Sequence, residues 1–307
     1  MPVFSIVMPC FNAAETILQT LESIRAQTCQ EWELICVDDG STDLTRDLIA
    51  DAAKHDRRIR LAYNPGKGPS AARNFGATHL ASGTYIAFCD ADDLWTTDKL
   101  AETQSIFSTL EVDATFGKIG FFQDDPNLAQ VFSTVPTIPL SIQMLLGENP
   151  VCTMSNITIR RRSWAAFGGF DPAVVHNEDL EWLIRIVGQG GIIQGNQNLQ
   201  VWYRSSPNGL SADLPAMQSG RAHAIRTAQG FGVAVSNAAE AIHKRYLVRR
   251  ALRLGHDRTW AAKIACAGFL QSPKGFMSPP RRGVLTLAAA LLNLGLPRYI
   301  SRAFFSH

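Results

Sequence analysis

Glu33-Leu34-Ile35-Cys36-Val37-Asp38-Asp39-Gly40-Ser41-Thr42-Asp43 is the stretch whose reading decides the fold. Leu34–Val37 is a short apolar run of the kind that a sheet buries on both faces. It stops at once in Asp, Gly, Ser and Thr, residues that turn chains and cap helices. An apolar strand running straight into a helix start is half of a strand–helix–strand unit, in which consecutive strands lie parallel.

The flanks repeat the pattern. Upstream, Val3–Met8 is a short strand followed by turn chemistry. Asn12-x-x-Glu15 then offers a capping-box start, and Ile17, Leu21, Ile24 and Thr28 recur at helical spacing. Downstream, a helix reaches about Lys54, and Ile59–Ala62 is a third strand. Pro65-Gly66-Lys67-Gly68-Pro69 is a loop, and Pro69 suits the first turn of a helix running to Ala81. Gly83 stops that helix, and Tyr85–Cys89 is a fourth strand ending in Asp90-Ala91-Asp92-Asp93. The alternation predicts an α/β fold, a Rossmann-type, mostly parallel sheet flanked by helices. Ligands of such sheets sit beyond the carboxyl ends of the strands, which is where the acidic clusters fall.

From about residue 112 the pattern weakens. Thr115–Phe122, Ile157–Arg160 and Gln200–Arg204 read as strands, and Trp182–Val187 as part of a helix. After Asp213 the chain turns Ala-, Arg- and Leu-rich and reads as helical. We therefore expect a sheet domain over 1–212, with halves of about 1–111 and 112–212, and a helical C-terminal extension over 213–307.

Composition narrows the classes. Apolar residues make up 46% of 307, enough for a sizeable core and too many for a disordered chain. The six cysteines form no C-x-x-C pair and no zinc spacing, which points to a reducing compartment. The N-terminus shows no leader pattern, and the longest apolar run, Val284–Leu296, is thirteen residues, short of the roughly 18 that a spanning helix needs. These features predict a cytoplasmic location. The net charge of +2 is an average of unlike parts. Residues 1–239 hold 17 Lys and Arg against 25 Asp and Glu, and residues 240–307 hold 12 against 2.

Several clusters carry chemistry. Three carboxylates in Asp90-Ala91-Asp92-Asp93 repel one another, and a hard divalent cation relieves that repulsion while binding substrate phosphates. The same residues also read as a helix N-cap with first-turn acids. Asp38-Asp39-Gly40-Ser41 has the same two readings, cap or contact to a base or ribose. Gly68–Asn74 opens a helix whose free N–H groups favour an anion, with Arg73 one turn in. His176-Asn177-Glu178-Asp179 precedes an amphipathic helix and supplies either helix-start acids or a general base. Tyr203-Arg204 ends the last clear strand, as a diphosphate clamp or a surface loop.

In this order the motifs resemble the family 2 glycosyltransferases, which have the GT-A fold. The resemblance rests on Ser5–Asn12, Gln27-Thr28, Glu33–Asp43, Gly68–Asn74, Asp90–Asp93, Arg160-Arg161, Gly168–Asp171 and Glu178-Asp179. It implies inverting, hexosyl-type transfer from a nucleotide-diphosphate sugar, commonly UDP-linked, to a hydroxyl of a glycan or lipid-linked acceptor in cell-surface polysaccharide or glycolipid synthesis. By the same resemblance Pro9, Phe11 and Asn12 lie in the nucleotide loop, and Phe11 lies near the base. Asp39 contacts the base, and Asp38 supports the turn or the ribose. Asp92 is the principal ligand of Mg²⁺ or Mn²⁺, with Asp90 toward the ribose or the metal. Asp179 is the general base, with Glu178 beside it, and Arg73 and Arg204 contact the diphosphate. The family often has a histidine two residues after the Tyr-Arg pair, where this chain has Ser206. Two other readings compete. A nucleotidyltransferase would want a Gly-rich, lysine-bearing loop where Pro9-Cys10-Phe11-Asn12 stands, and a non-catalytic sugar-nucleotide binder or scaffold would not need Asp90, Asp92 and Asp179 together.

The tail lies outside that resemblance. Over 238–254, Ala238, Ala241, Ile242, Val248, Ala251 and Leu252 share a helical face, and Lys244, Arg245, Arg249, Arg250 and Arg253 fill much of the rest. A basic amphipathic helix reads either as peripheral attachment to an anionic membrane face or as a subdomain packed on the body. The tail lacks interleaved stacking aromatics, so no nucleic-acid partner is expected.

Overall fold

A computed structural model describes residues 2–205 and 214–295. Its first four strands are β1 (Phe4–Cys10), β2 (Trp32–Asp38), β3 (Ile59–Tyr63) and β4 (Tyr85–Phe88), joined by helices α1 (Ile17–Arg25), α2 (Thr45–His55) and α3 (Gly68–Phe75). They lie parallel in the order β3-β2-β1-β4, with Val7 opposite Ile35 and Phe88. β5 (Leu94–Trp95), α4 (Lys99–Thr109), β6 (Ala114–Phe122) and β7 (Val131–Phe132) follow, then α5 (Ile142–Gly147), β8 (Ile157–Arg160), α6 (Arg161–Phe167), α7 (Glu178–Gly188) and β9 (Ile193–Arg204). Among the described residues the sheet has nine strands, continuing β4-β8-β6-β9-β5 with β7 on β6. β8 runs antiparallel to β4 and β6, so β6 and β9 again point the way β4 points.

The alternation in the sequence builds the core directly. Ile6, Met8, Leu34, Cys36 and Ala87 pack with Ile17, Leu21 and Ile24 of α1 in one buried cluster. A side of this kind, fully removed from water, contributes about 1.5–3 kcal/mol per large aliphatic residue. On the other side Gly76 comes so close to the strands that a Cβ there would meet Val7 Cγ1 at 2.5 Å. The helix predicted to reach Ala81 widens at this point. α3 ends at Phe75, and the chain continues as a wider turn in which the Ala81 N–H reaches back to the Gly76 carbonyl at 2.9 Å.

Two local readings are corrected. Asn12 caps no helix. It sits in the left-handed region at φ 47°, and its Oδ1 accepts from the Thr42 N–H at 2.8 Å, tying the loop after β1 to the loop after β2. α1 begins only at Ile17. Gly83 does more than stop a helix. Its N–H donates to Ser5 Oγ at 2.7 Å, and a Cβ there would lie 2.6 Å from the Ser5 backbone nitrogen. Gly83→Ala should therefore destabilise the protein by about 2–3 kcal/mol, measured as a lower urea midpoint with an unchanged slope.

The described residues form two compact units, one of 2–140 and 150–205 and one of 141–149 with 214–295. The second holds α8 (Leu214–Gly230), α9 (Asn237–Arg253), α10 (Arg258–Gln271), α11 (Pro273–Phe276) and α12 (Pro280–Leu292). A cut at 212 misses that 141–149 belongs with these helices. Among the ties is Glu148, whose carboxylate meets Arg245 and Arg249 at 3.3 Å and Arg282 at 3.5 Å. The basic helix α9 is also turned inward. Arg245 is buried and donates to the carbonyls of Phe276 and Ser278, and Lys244 pairs with Gln271. Arg245 and Arg249 thus neutralise Glu148, and Arg245 also satisfies a helix end, while Arg253 stays exposed. No helix among the described residues is long and apolar enough to cross a membrane.

Candidate active site

Two groups of side chains gather beyond the carboxyl ends of β1, β2 and β4, and α3 touches both. The first surrounds Asp39. Its carboxylate accepts from Asn64 Nδ2 at 2.7 Å and from the Gly68 N–H at 3.0 Å, and Lys67 Nζ lies 3.2 Å away. Lys67 also sits 4.8 Å from the centre of the Phe11 ring. Phe11 is 55% exposed, an uncovered aromatic face of the size a nucleobase would cover. Pro9, half-buried, is the last but one residue of β1 below it. Asp38 has turned away from this surface. It is buried, and its carboxylate accepts the N–H groups of Gly40 and Ser41, so it holds the turn that aims Asp39. Asn12 likewise braces the loops through Ser41 and Thr42. Sequence reasoning missed Asn64 and Lys67. The loop composition at 64–68 was visible, but nothing in it pointed back to a carboxylate 25 residues earlier.

The second group is built on Arg73. This guanidinium is buried and donates to Asp90 Oδ1 at 2.6 Å and to Glu178 Oε1 at 3.2 Å, residues 17 and 105 positions away. Burial works to lower its pKa, but the carboxylates of Asp90 and Glu178 outweigh that and raise it, so it stays charged. Its Cζ lies 5.7 Å from the Phe170 ring, and its Nε has no partner. The neighbouring Asn74 grips Phe170 at both ends of its peptide, accepting from its N–H and donating to its carbonyl, each at 2.8 Å. Phe170 in turn packs against Trp182 and Phe88. α3 thus fixes the start of α7 against the end of β4.

At that start Asn177 is left-handed (φ 57°), and Glu178 and Asp179 form the first turn of α7. Burial first, and then the Glu178 charge, push the Asp179 carboxyl up to about 7. A carboxylate with that affinity for protons suits a general base near neutral pH.

The three aspartates after β4 separate in role. Asp90 has both oxygens engaged, one by Arg73 and one by Thr153 Oγ1 at 3.2 Å. Asp93 is buried, lies 3.3 Å from the same Thr153 Oγ1 and accepts from the Arg204 N–H at 3.0 Å, and burial, then the Asp92 and Asp90 charges, push its carboxyl well above the usual range. Asp92 has no hydrogen-bond donor from another residue on its carboxylate among the described residues, and burial, followed by the Asp90 charge, raises it to about 6. A half-buried carboxylate without a donor from another residue, pushed up by desolvation and a like charge, is the environment that a bound cation would relieve. No group of three His, Cys, Asp or Glu side chains able to hold a metal occurs among the described residues. Ser206, where a further ligand would be sought, lies outside them. Arg204 is spent on the protein. It donates to the Asp92 carbonyl at 2.9 Å and to Gln19 Oε1 at 2.6 Å, and it stacks 4.6 Å from the Phe122 ring, so it buckles the acidic loop to β9 and does not stand free for a diphosphate.

Several known proteins are similar to this chain. A family model described as Glycosyl transferase family 2 matches residues 5–167. The glucosyltransferase WfaP of Escherichia coli, described as a UDP-Glc:alpha-D-GlcNAc-diphosphoundecaprenol beta-1,3-glucosyltransferase, is 30% identical over 213 residues, covering 69% of this chain and 81% of that one. An uncharacterized glycosyltransferase of Haemophilus influenzae is 36% identical over 135 residues, covering 44% of this chain and only 54% of that protein's length. The S. aureus TarS 1–349 structure with UDP-GlcNAc superposes with a TM-score of 0.57 at 15% identity, covering 99% of this chain and 88% of that one. At that identity the likeness establishes the GT-A type of fold.

Proposed function

The chain belongs to glycosyl transferase family 2, and from that premise we propose that it transfers a sugar, with inversion, from a UDP-linked donor to a hydroxyl of a glycan or lipid-linked acceptor in cell-surface polysaccharide or glycolipid synthesis. The observation that carries the reading is the buried line Asp90–Arg73–Glu178, which joins the acidic loop after β4 to the first turn of α7. It brings a cation-type carboxylate cluster and a proton-accepting carboxylate into one electrostatic unit. The donor base suggested here follows the name of WfaP, a UDP-glucose enzyme.

In this reading Phe11 lies against the base, while Asp39, oriented by Asn64 and Gly68, accepts its N–H groups. Asp92, with Asp90, would hold Mg²⁺ or Mn²⁺, which when bound neutralises charge on the departing diphosphate. Asp179 takes the proton from the acceptor hydroxyl as it attacks the anomeric carbon. Glu178 and Arg73 position it. The site of action is the cytoplasmic face of a membrane, where a lipid-linked acceptor resides, with the C-terminal region attached peripherally to an anionic leaflet.

The test is a donor screen on the full chain, following nucleoside diphosphate release from a panel of sugar nucleotides with Mg²⁺, with Mn²⁺ and with chelator. Turnover of a UDP-sugar that chelator abolishes is expected. Turnover indifferent to chelator would remove the metal from the proposal, and no release from any donor would leave a binder or scaffold as the better reading.

A further inference from the structure

α12 is built inside out. The residues it buries fully, Gly283, Thr286 and Ala290, are small, Leu287 packs partly buried against the neighbouring helices, and its other large residues face water. Val284 is 54% exposed, Leu285 58%, Leu291 45% and Leu292 66%. With Ala288 between them, these positions follow the 3.6-residue period of one helix face. A contiguous apolar face of this kind on a folded protein marks something that covers it. Arg281, exposed and one turn earlier, lies on the same face. α10, which packs beside α12, exposes Leu270 between Lys263 and Lys274.

We propose that α12 is the membrane-docking element of the protein, with its Val284–Leu292 stripe lying in the surface of an anionic bilayer and the neighbouring cations meeting lipid phosphates. This deepens the peripheral attachment proposed above and rests on it. Charge chooses the occupant. Residues 258–307 hold seven Lys and Arg and not one Asp or Glu. A second copy seated on the same face would bring these cations together, whereas anionic headgroups neutralise them, and juxtamembrane cations favour such a surface. Length chooses the orientation. Thirteen residues span about 20 Å, too short for the roughly 30 Å hydrocarbon layer, so the helix lies along the surface. The residues beyond Gly295 continue the composition with Arg298, Tyr299, Arg302, Phe304 and Phe305, and they lie outside the described residues. α9, the basic helix of the sequence reading, is the weaker choice because Arg245 and Arg249 are engaged by Glu148, and Arg245 also by backbone carbonyls.

The experiment is flotation of the full-length protein with phosphatidylglycerol–phosphatidylcholine vesicles and with phosphatidylcholine alone. Wild type should float with the anionic vesicles, less so in high salt. Leu285→Asp combined with Leu292→Asp should lower the bound fraction about tenfold or more, and Arg281→Glu should weaken binding to anionic vesicles only. Leu285→Ser with Leu292→Ser is the milder pair if the aspartates disturb folding, judged by far-ultraviolet circular dichroism and melting. Equal flotation of wild type and folded variants overturns the proposal, as does no flotation of wild type. A wild-type dimer that the variants convert to monomer, with vesicle binding absent, would assign the face to a second copy. Donor turnover measured without vesicles should be the same in all these proteins. Its absence in all of them would sink the transfer reading and leave the flotation result standing.

Discussion

Asp179→Asn should lower sugar transfer about a thousandfold while leaving donor affinity nearly unchanged. Asn keeps the size of Asp179 and its place in the first turn of α7, but it cannot accept the acceptor proton. The split between kcat and donor affinity is the informative readout, because loss of both together would assign Asp179 to donor binding. Two pH experiments sharpen the test. With the carboxyl raised to about 7, wild-type activity should fall as pH drops through 7, roughly tenfold per unit, because the base becomes protonated. Stability should move the other way. A carboxyl raised in the folded protein above its unfolded value near 4 costs stability as pH rises from about 4 to 7. The Asn variant escapes that cost, so it should melt higher than wild type at pH 8 and with it at pH 4. A variant less stable than wild type at pH 8 would mean that the Asp179 charge is part of what holds the start of α7.

Asp92→Asn should remove metal-dependent turnover, by about a thousandfold if the cation contributes the several kcal/mol expected of it, and should leave the fold intact. No neighbouring side chain loses a hydrogen bond, and a raised carboxyl of about 6 is replaced by a neutral amide. At pH 8 this variant too should melt no lower than wild type. Asp93→Asn, one residue on, is the control at a second buried carboxyl raised by burial and by the Asp92 and Asp90 charges, so it too should melt no lower than wild type at pH 8. Calorimetric titration with Mn²⁺ and UDP on the Asp92 variant gives the check, and unchanged metal-dependent binding would release Asp92 from the role of ligand.

Much of the fold was legible because it is encoded over short distances. The runs at 34–37 and 157–160 become strands near the expected bounds, and the turn residues after the first of them end it. The reading failed where a residue type serves two purposes. Asn12 has the chemistry of a helix cap and is used to tie two loops, because the left-handed turn after β1 needs a residue that tolerates positive φ. Gly83 was legible as a breaker but not as the gap through which the chain passes Ser5. Within the site, Asp38, Asp39, Asp90, Asp92, Asp93 and Glu178 were all visible as acids near turns. Which of them are consumed by the protein and which are left for a ligand was not, because hydrogen-bond donors such as Asn64 and Thr153 arrive from distant segments.

The sequence by itself determined the parallel α/β core, the placement of acidic loops at the strand ends and the family likeness, since each rests on periodicity or on motifs read over a few residues. The tertiary structure alone decided the rest. Arg73 joins Asp90, 17 residues away, to Glu178, 105 residues away, because two carboxylates around one buried guanidinium are paired where any one of them alone would be costly. Glu148 draws 141–149 to the C-terminal helices for the same reason, with three arginines about it. That pairing also turns Arg245 of α9 inward, and in the same unit α12 exposes Val284, Leu285, Leu291 and Leu292. The direction in which a helix faces depends on what it packs against, and a one-dimensional pattern of charge and apolar residues does not contain that information.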